Sequence, residues 1–366
     1  MNSALTTMVL KRLRLHNFRV YSEQVFEPSP GLNLLIGPNG SGKTAVLEAL
    51  HLLSAARSFR AKREAEVVKW NNDACRIEGL FQTDAGHSRE LSVGWVRRQG
   101  EWKKQATFQR DEVARLADFL GCVPLSLFTP TDLSLISGSP SVRRKYLDLM
   151  LSKMYPLHLQ EMFRLKKVLA SRNALLRQQR PPAELRPWNK LLHEISVPVG
   201  RRRQELVAQL GTTCQEFFAA LTGTERKVKL EYRRCWPEEA DEFQEKLRES
   251  QQRELALGST LLSPQKDELG IHLGGKSLRT YGSQGEQRLV ALCLRLSEAR
   301  RLALQKNEQA ILLLDDAFSE LDPDRRERLL HLLPTFSQVL LTSATPVPLP
   351  RVEHRTHQIE AGEVVA

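Results

Sequence analysis

The sequence predicts an α/β fold in which a mixed-sheet lobe, formed by both ends of the chain, is interrupted by an inserted helical lobe. A glycine-rich loop stands between a predicted strand and a predicted helix near the start. Two aspartates follow a short apolar run near the end, and helix-forming residues dominate from about 141 to 218. We predict that the sheet lobe comprises 1–125 and 296–366, and that the helical lobe comprises 126–295.

The chain is strongly basic, with 54 Lys and Arg against 43 Asp and Glu and a net charge of +11. Such an excess favours an anionic partner, either nucleic acid or an acidic membrane surface. The alternative is a protein that is basic without such a partner. Residues 164–203 hold eleven Lys or Arg and two Glu. Because charges of one sign repel each other, we interpret this stretch as part of a DNA-binding surface rather than an ordinary solvated helix face.

Membrane-spanning and secreted disulfide-rich proteins are excluded. The longest apolar runs, such as Ile311–Leu314, are far shorter than the roughly 18 residues that span a membrane. Residues 1–7 lack the pattern of a secretory signal. The five cysteines are scattered without a CxxC pair, which argues against a zinc site or a disulfide framework. We therefore expect a cytoplasmic protein without a membrane partner.

Alternating and apolar patterns locate the elements around the motifs. Residues 10–20 alternate like a half-buried strand, and 33–36 form a short strand that enters the glycine-rich loop. A helix is expected to follow that loop. Prolines at 181, 182 and 187 are expected to interrupt the helical region. Further predicted elements are strands at 76–81, 91–96, 125–128, 269–273, 311–314 and 338–342 and a helix at 286–304.

The glycine-rich loop fits the P-loop pattern G-x-x-x-x-G-K-[ST] in full. Its backbone N–H groups can cradle phosphate oxygens, Lys43 adds charge at the β- and γ-phosphates, and the Thr44 hydroxyl is placed to bind Mg²⁺. The alternative is a chance glycine-rich turn, which the flanking strand and helix make improbable. The predicted nucleotide-binding residues are Gly37, Pro38, Asn39, Gly40, Ser41, Gly42, Lys43 and Thr44.

Asp315 and Asp316 directly follow the apolar run 311–314 and should complete the site. We expect Asp315 to hold Mg²⁺ and Asp316 to orient or deprotonate the attacking water, so that Asp316 and Lys43 are the predicted catalytic residues. The alternative is a pair of acids that opens a loop or caps a helix. The presence of the P-loop in the same chain weighs against that alternative.

Ser283 and Gly285 stand at the start of a predicted helix, where a serine and a glycine can bind an anion. In the same copy of the chain, the helix after the P-loop already presents its N-terminus to the phosphates. The second anion site is therefore expected to serve another copy of the chain. This arrangement resembles the ABC-type ATPases, whose signature motif is S-x-G-[GQE], and it predicts an ABC-type ATPase head.

The order of the motifs narrows the resemblance to the RecF family of bacterial recombination and repair proteins, SMC-like heads without a long coiled coil. The resemblance spans nearly the whole chain. The LDDAFSELD segment and the RSFR and GSP…RR…LD patterns are far more specific than the P-loop. The matching segments are 17–21 (NFRVY), 37–44, 57–60 (RSFR), 128–133 (FTPTDL), 138–148 (GSPSVRRKYLD), 172–176 (RNALL), 283–288 (SQGEQR) and 314–322 (LDDAFSELD).

The resemblance implies roles for individual residues. Arg19 matches a position that contacts nucleotide phosphate in related heads. Ser283, with the backbone at Gly285, would reach the γ-phosphate bound by the partner copy. Residues 319–322 match the D-loop of the dimer interface. Thr342 stands where many ABC ATPases have a switch histidine, so its hydroxyl would sense the γ-phosphate. The segment 128–133 is the best candidate for the Q-loop.

Two stretches depart from the family pattern. Gln265 and Lys266 replace His-Arg in a segment that usually reads G-P-H-R-D-D. In the signature, Glu286 replaces a glutamine that the family usually carries, as SMC relatives do. We expect this second change to be tolerated, because Ser283 and the Gly285 backbone make the main phosphate contacts.

The resemblance implies an ATP-dependent DNA-binding protein of recombinational repair, replication-fork maintenance and the SOS response. ATP and Mg²⁺ would hold two copies together as a homodimer, and weak ATP hydrolysis would release them. The DNA would be single-stranded, gapped or linear duplex. RecO and RecR would be protein partners in loading the RecA recombinase at gaps.

Three other functional classes fit less well. A transport ATPase subunit places its signature closer to the P-loop and carries a switch histidine. An SMC-type clamp needs long coiled-coil arms and usually a CxxC hook. A basic nucleic-acid-binding module without ATPase activity would not need Asp315 and Asp316.

Overall fold

The computed structural model describes residues 5–61, 63–319, 321–347, 349 and 352–365. Within them the strands are β1 (Met8–Phe18), β2 (Tyr21–Phe26), β3 (Gly31–Ile36), β4 (Ala74–Thr83), β5 (Ser88–Arg98), β6 (Glu101–Phe108), β7 (Asp111–Glu112), β8 (Leu125–Phe128), β9 (Val228–Arg233), β10 (Glu268–Leu273), β11 (Lys276–Ser277), β12 (Ile311–Leu314), β13 (Gln338–Ser343), β14 (His354–Glu360) and β15 (Glu363–Val365). The helices are α1 (Lys43–Ala55), α2 (Leu116–Phe119), α3 (Leu133–Ser137), α4 (Pro140–Met154), α5 (Pro156–Arg177), α6 (Pro182–Thr222), α7 (Ala240–Leu257), α8 (Leu278–Tyr281), α9 (Gln284–Lys306) and α10 (Pro323–Leu332).

The central sheet has the strand order β15-β14-β3-β13-β12-β8. All neighbours pair in parallel except the hairpin β14–β15. Leu313 of β12 lies opposite Leu340 on one side and Leu127 on the other, and every residue of β12 is buried. A parallel strand buried on both faces reads as a continuous apolar run, which is why this strand was predictable. The predicted α/β fold with a mixed sheet is confirmed.

A second, antiparallel sheet has the order β2-β1-β4-β5-β6-β7. Strand β4 alternates between buried and more exposed residues, as a sheet with one covered face requires. Leu15, Ile77 and Val93 lie opposite one another on three neighbouring strands and are buried. Helix α1 packs beside this sheet, and a methyl group added at Gly79 would lie 2.6 Å from Leu53 of that helix.

The chain divides into two compact units. The first holds the residues up to Leu133, Glu216–Glu225 and everything from Gln284 onward, and it contains both sheets described above. The second holds Ser134–Gln215 and Arg226–Ser283. It consists of helices and a small sheet of order β11-β10-β9. Its main apolar cluster includes Leu165, Leu169, Leu192, Val199 and Phe243.

The limits of these units differ from the lobes predicted at 126–295 and 296–366. The second unit begins at Ser134 and ends at Ser283, and α9 belongs to the first unit. The physical reason lies in the packing of α9, which contacts β8 and offers the Arg295 carbonyl to the Ser126 hydroxyl at 2.9 Å. A helix start visible in the sequence carries no information about which unit the helix packs against.

The prolines act differently from one another. Helix α5 ends at Arg177 and α6 begins at Pro182, so the expected break at 181–182 is present. Pro187 and Pro198 lie inside α6, and the prediction that Pro187 interrupts the helical region was wrong. A proline removes one hydrogen-bond donor, but this helix also buries Leu192 and Val199 in the core of the second unit. Tertiary packing outweighs the local propensity here.

The basic stretch 164–203 is only partly a surface. Arg172 and Arg203 are each 1% exposed, and they pair with Glu254 at 2.6 Å and with Asp148 at 2.8 Å. Buried charges need such partners. The interpretation of these two arginines as DNA contacts was therefore wrong. The basic residues of the stretch that stay exposed are Arg164, Lys166, Lys167, Arg177, Arg180, Arg186, Lys190 and Arg201.

Across the described part of the chain, no helix combines the length and the apolar character that crossing a membrane would require.

Candidate nucleotide site

The P-loop joins the end of β3 at Ile36 to the start of α1 at Lys43. Two of its glycines are required by their surroundings. A Cβ at Gly37 would lie 2.1 Å from the carbonyl oxygen of Ile359 on β14. Gly42 has a φ of 118°, a conformation that side-chain-bearing residues rarely adopt. Both features let the backbone turn sharply, as a loop that cradles phosphate must do.

Distant segments brace the P-loop from outside. The Tyr21 hydroxyl donates to the Gly42 carbonyl at 3.1 Å, and the Gly362 N–H donates to the Ser41 carbonyl at 3.0 Å. The Ser41 hydroxyl is buried and has no hydrogen-bond partner within the described residues. An unsatisfied buried hydroxyl is costly, and a phosphate oxygen beside the loop would satisfy it.

The Lys43 ammonium folds back onto its own loop. It donates to the carbonyl oxygens of Gly37 at 2.6 Å and Pro38 at 2.8 Å. Burial lowers the pKa of Lys43, although the negative charges of Asp315 and Asp316 act in the opposite direction. The loop carbonyls therefore hold the ammonium group within the P-loop, and a bound phosphate would compete with these carbonyls for it.

The two aspartates lie at the end of β12, beside β8 and β13. The Asp315 N–H donates to the Phe128 carbonyl at 2.9 Å. The hydroxyls of Thr44 and Thr342 both donate to Asp315 Oδ1, at 2.9 and 2.8 Å. The Thr342 hydroxyl also accepts from the Asp316 N–H at 3.0 Å. Two hydroxyls from segments that are far apart in the chain thus converge on the Asp315 carboxylate, and β8 holds its backbone.

The oxygens of Thr44 and Asp315 suit a Mg²⁺ ion. Mg²⁺ prefers oxygen ligands in octahedral geometry at ~2.0–2.1 Å, which separates neighbouring ligands by ~2.9 Å. The distance between Thr44 Oγ1 and Asp315 Oδ1 is 2.9 Å. The hydroxyl and carboxylate predicted to bind the metal therefore already have the spacing of adjacent ligands.

Burial raises the pKa of Asp315, because the ionised carboxylate loses water contacts. Hydrogen bonds from Thr342 and Thr44 and the nearby positive charge of Arg60 lower the pKa again in part. The net direction is upward, so the carboxylate lacks sufficient positive charge around it. A bound divalent cation would supply that charge.

An open cavity of about 430 Å³ lies over these groups, within the first unit. Its lining includes Arg19, Asn39, Gly40, Gly42, Lys43, Thr44, Arg60, Asp315, Asp316 and Thr342. The predicted loop, metal and catalytic residues are thus brought together in one place.

Arg19 lines the cavity, but its guanidinium is also engaged elsewhere. It donates through Nε and Nη2 to the Glu48 carboxylate at 2.8 and 2.6 Å and through Nη1 to the Glu66 carbonyl at 2.7 Å. The Glu48 side chain is fully buried on α1. The expected contact of Arg19 with nucleotide phosphate stays a prediction, now with a carboxylate that fixes the position of the guanidinium.

Sequence reasoning assigned no role to Glu48, Ser58 or Arg60. The Ser58 hydroxyl donates to Glu48 and accepts from the N–H groups of Arg60 at 3.0 Å and Ala61 at 2.8 Å. One buried carboxylate therefore holds both Arg19 and the turn that carries Arg60 to the cavity. The quoted RSFR motif and the single acid in the apolar helix α1 were the available signals.

Asp316 has a φ of 49°, in the left-handed region that non-glycine residues rarely occupy. Such backbone strain concentrates at functional sites when neighbouring contacts hold it in place. Here the hydrogen bond from the Asp316 N–H to Thr342 holds it. The strain is compatible with the predicted catalytic role of Asp316, which stays a prediction.

Ser283 and Gly285 do not lie among the described residues that line the cavity. Both are exposed at the start of α9, a helix of 23 residues, and a Cβ at Gly285 would meet open space. An exposed helix N-terminus can bind an anion that another molecule carries. Their predicted role in a second copy's site therefore stays a prediction.

The remaining predicted segments have clear places. In the D-loop, the Ser319 hydroxyl donates to the Asp316 carbonyl at 2.9 Å, and Asp322 caps α10; Glu320 lies outside the described residues. The segment 128–133 contains no glutamine, and its Asp132 pairs with Arg295 at 2.6 Å. The Q-loop assignment stays a prediction.

In the segment 263–268, which departs from the family pattern, one acid is buried and the two substituted residues are exposed. The buried Asp267 accepts hydrogen bonds from the Cys235 N–H at 3.0 Å and from Trp236 at 3.3 Å. Gln265 and Lys266 are exposed on the turn. The substituted positions thus lie at the surface, and the acid that fixes the turn is retained.

Comparisons with known proteins find relatives that match nearly the whole chain. Residues 9–359 match the family model of the RecF/RecN/SMC N-terminal domain. The DNA replication and repair protein RecF of Heliobacterium modesticaldum is 35% identical over 98% of this chain and 99% of the relative. The protein of the same name from Halalkalibacterium halodurans is 35% identical over 96% of each chain.

Solved structures agree as well. A structure described as the recombination mediator protein RecF-ATP in the RecFOR pathway is similar, with a TM-score of 0.89, 28% identity and coverage of 100% of this chain and 99% of that one. An SMC head from Pyrococcus furiosus, with a TM-score of 0.58 and 17% identity over 98% and 96% of the two chains, shares the fold. The chain therefore belongs to the RecF family of DNA replication and repair proteins.

Proposed function

We propose that this protein is a weak, Mg²⁺-dependent ATPase that uses ATP to form a homodimer on DNA during recombinational repair. The single observation that carries the proposal is the division of the site. Lys43, Thr44, Asp315 and Asp316 line one cavity, whereas Ser283 is exposed and is not among the described residues that line this cavity. The family relative described as RecF-ATP supports ATP as the nucleotide.

In one protomer, the P-loop N–H groups and Lys43 bind the phosphates, and Thr44 and Asp315 hold Mg²⁺, which supplies positive charge to the phosphates. Asp316 accepts a hydrogen bond from the attacking water and orients it toward the γ-phosphate. Arg60 adds positive charge at the same cavity. The resemblance to the RecF family is the basis on which slow turnover is expected.

In the dimer, Ser283 and the Gly285 N–H of one copy bind the γ-phosphate held by the other copy. Each nucleotide then belongs to both copies, so the dimer depends on the γ-phosphate. Hydrolysis removes this shared contact and releases the copies. The exposure of both residues at the start of a long helix supports this step.

The DNA partner is single-stranded, gapped or linear duplex DNA. The net charge of +11 and the exposed basic residues of 164–203 support it. With RecO and RecR as protein partners, the dimer would mark gaps at which the RecA recombinase is loaded, in fork maintenance and the SOS response. The place of these events is the cytoplasm. The RecFOR pathway named for the RecF-ATP relative supports this assignment.

Light scattering with and without ATP, on and off gapped DNA, tests the proposal. The wild-type chain should double in mass with ATP and Mg²⁺ and return to monomer as ATP is consumed. Lys43→Ala should stay monomeric, because it loses phosphate binding. Asp316→Ala should bind ATP and stay dimeric, because it cannot activate water.

Two results would contradict the proposal. Normal ATP-dependent dimers of Lys43→Ala would show that the P-loop does not control assembly. Wild-type hydrolysis by Asp316→Ala would show that another group activates the water. Ser283→Arg, which changes an exposed side chain that does not line the cavity, is a matched variant. It should bind ATP normally and fail to dimerise.

A further inference from the structure

Trp70 is 90% exposed, the highest value among the exposed large hydrophobic side chains of the described residues. Of the five tryptophans in the chain, Trp95 and Trp236 are buried and Trp102 and Trp188 are half-buried. A ring left in water on both faces forgoes the favourable burial that the other four obtain. An exposed aromatic ring can serve as a platform on which a nucleic-acid base stacks.

The turn that carries Trp70 is held firmly. The Lys69 N–H donates to the Asn17 carbonyl at 2.8 Å, and its ammonium donates to the Val20 carbonyl at 3.1 Å. The Asn72 side chain donates to the Trp70 carbonyl at 3.0 Å. The exposure of this ring is therefore built into the fold, and the ring is presented on a fixed backbone.

Positive charge lies at the same end of the antiparallel sheet. Val96 pairs with Ala74, the first residue after the turn, and with Lys103 on the next strand. The hairpin between β5 and β6 therefore lies beside the turn of Trp70. Its exposed charged residues are three cations, Arg97, Arg98 and Lys103, and one acid, Glu101. The Arg97 N–H donates to the Asp73 carbonyl at 2.7 Å, and the Arg97 guanidinium pairs with the Asp73 carboxylate at 3.7 Å.

The surroundings favour a nucleic-acid base over a protein surface. The neighbours of Trp70 in its turn are Lys69, Asn71, Asn72 and Asp73, all polar. A tryptophan that anchors a protein interface is normally ringed by contacts that exclude water, whereas single-stranded DNA is bound by aromatic rings beside basic groups. We propose that Trp70 stacks on an unpaired base of DNA, while the β5–β6 hairpin binds the adjoining phosphates.

The turn of Trp70 also lies next to a residue of the nucleotide site. The segment before Trp70 pairs with the turn of Arg19, since the Arg19 N–H donates to the Val67 carbonyl at 2.8 Å and its guanidinium donates to the Glu66 carbonyl. Arg19 lines the nucleotide cavity. The inference rests on the proposed DNA binding and assigns one contact of it.

Fluorescence anisotropy with two labelled DNAs of equal length, a gapped duplex and a blunt duplex, tests the stacking contact with ATP present. Trp70→Ala should bind the gapped duplex at least about fivefold more weakly, as expected for one lost base stack. Its affinity for the blunt duplex should not change. Trp70→Phe keeps an aromatic ring and should bind both DNAs within about twofold of wild type. ATP affinity and melting temperature should match wild type in both variants.

The outcomes separate this inference from the proposed function. If wild type binds neither DNA, the proposed DNA binding fails and takes the stacking contact with it. If wild type binds gapped DNA and Trp70→Ala binds it equally well, or loses both DNAs equally, only the stacking contact is overturned. If Trp70→Ala keeps DNA binding but loses the ATP-dependent dimer, the turn is an interface between copies, which also overturns the stacking contact.

Discussion

Thr44 donates a hydrogen bond to Asp315 at 2.9 Å, joining the first helix of the chain to the end of β12. The two oxygens already have the separation of adjacent Mg²⁺ ligands. Without a cation, however, this arrangement places a carboxylate in a buried setting that raises its pKa. The site is therefore prepared for a metal at some expense to the stability of the ligand-free protein.

Replacing Asp315 with asparagine should raise the melting temperature of the ligand-free protein at pH 7. A raised carboxyl pKa means that the folded state binds the proton more tightly than the unfolded state. Stability then falls as pH rises from the unfolded value of 3.8 through the folded pKa, and Asp315→Asn removes this loss. The unfolding free energy of wild type should rise by ~3 kcal/mol when ATP and Mg²⁺ are present at a hundredfold excess over Kd, whereas that of the variant should not rise. A lower melting temperature for the ligand-free variant would contradict this account.

Glu48→Gln should weaken ATP binding by roughly tenfold, because charge-assisted hydrogen bonds contribute ~1.5–3 kcal/mol and this change removes the charge that holds Arg19. Isothermal titration with ATP measures the effect. Glu66→Gln is a matched control, because Arg19 donates to the backbone carbonyl of Glu66, which this change keeps. Equal affinities for the two variants would show that Arg19 needs no carboxylate to hold it.

Arg172→Ala should lower the free energy of unfolding by ~3–5 kcal/mol, because it leaves Glu254 buried without its partner. Urea unfolding measures this loss. Lys167→Ala, at an exposed position of the same helix, should change stability by less than ~0.5 kcal/mol. DNA affinity should fall more in Lys167→Ala than in Arg172→Ala, and the salt dependence of DNA binding should be smaller for Lys167→Ala. An Arg172→Ala protein of wild-type stability would contradict the assignment of a structural ion pair.

His357 gives the protein an acid-sensitive element. It is 3% exposed, donates to Asn33 at 3.0 Å, and burial lowers its pKa to about 4. The unfolded chain binds a proton near pH 6.5, so stability is lost as pH falls from 6.5 toward 4. Between pH 7 and pH 5, wild type should lose ~2 kcal/mol more unfolding free energy than His357→Gln. Equal losses in chemical denaturation would exclude this histidine as the cause.

The sequence was informative where a local pattern has one physical meaning. An apolar run followed by two acids predicts a buried strand that ends at a site, and Asp315 lies there. Arg172 was misread because its partner Glu254 is 82 residues away and leaves no local trace. Glu48 was missed for a related reason, since its helix looks like ordinary core and its bonds to Arg19 and Ser58 depend on loop paths.

The position of β3 in the central sheet has a consequence for synthesis. This strand, which leads into the P-loop, lies between β14 and β13, and both follow it in the chain by about 300 residues. A ribosome-bound chain therefore displays the nucleotide loop long before the neighbours that shape it exist. Chains that terminate early should be unable to capture nucleotide, so truncated products would not compete with finished molecules for a place in the dimer.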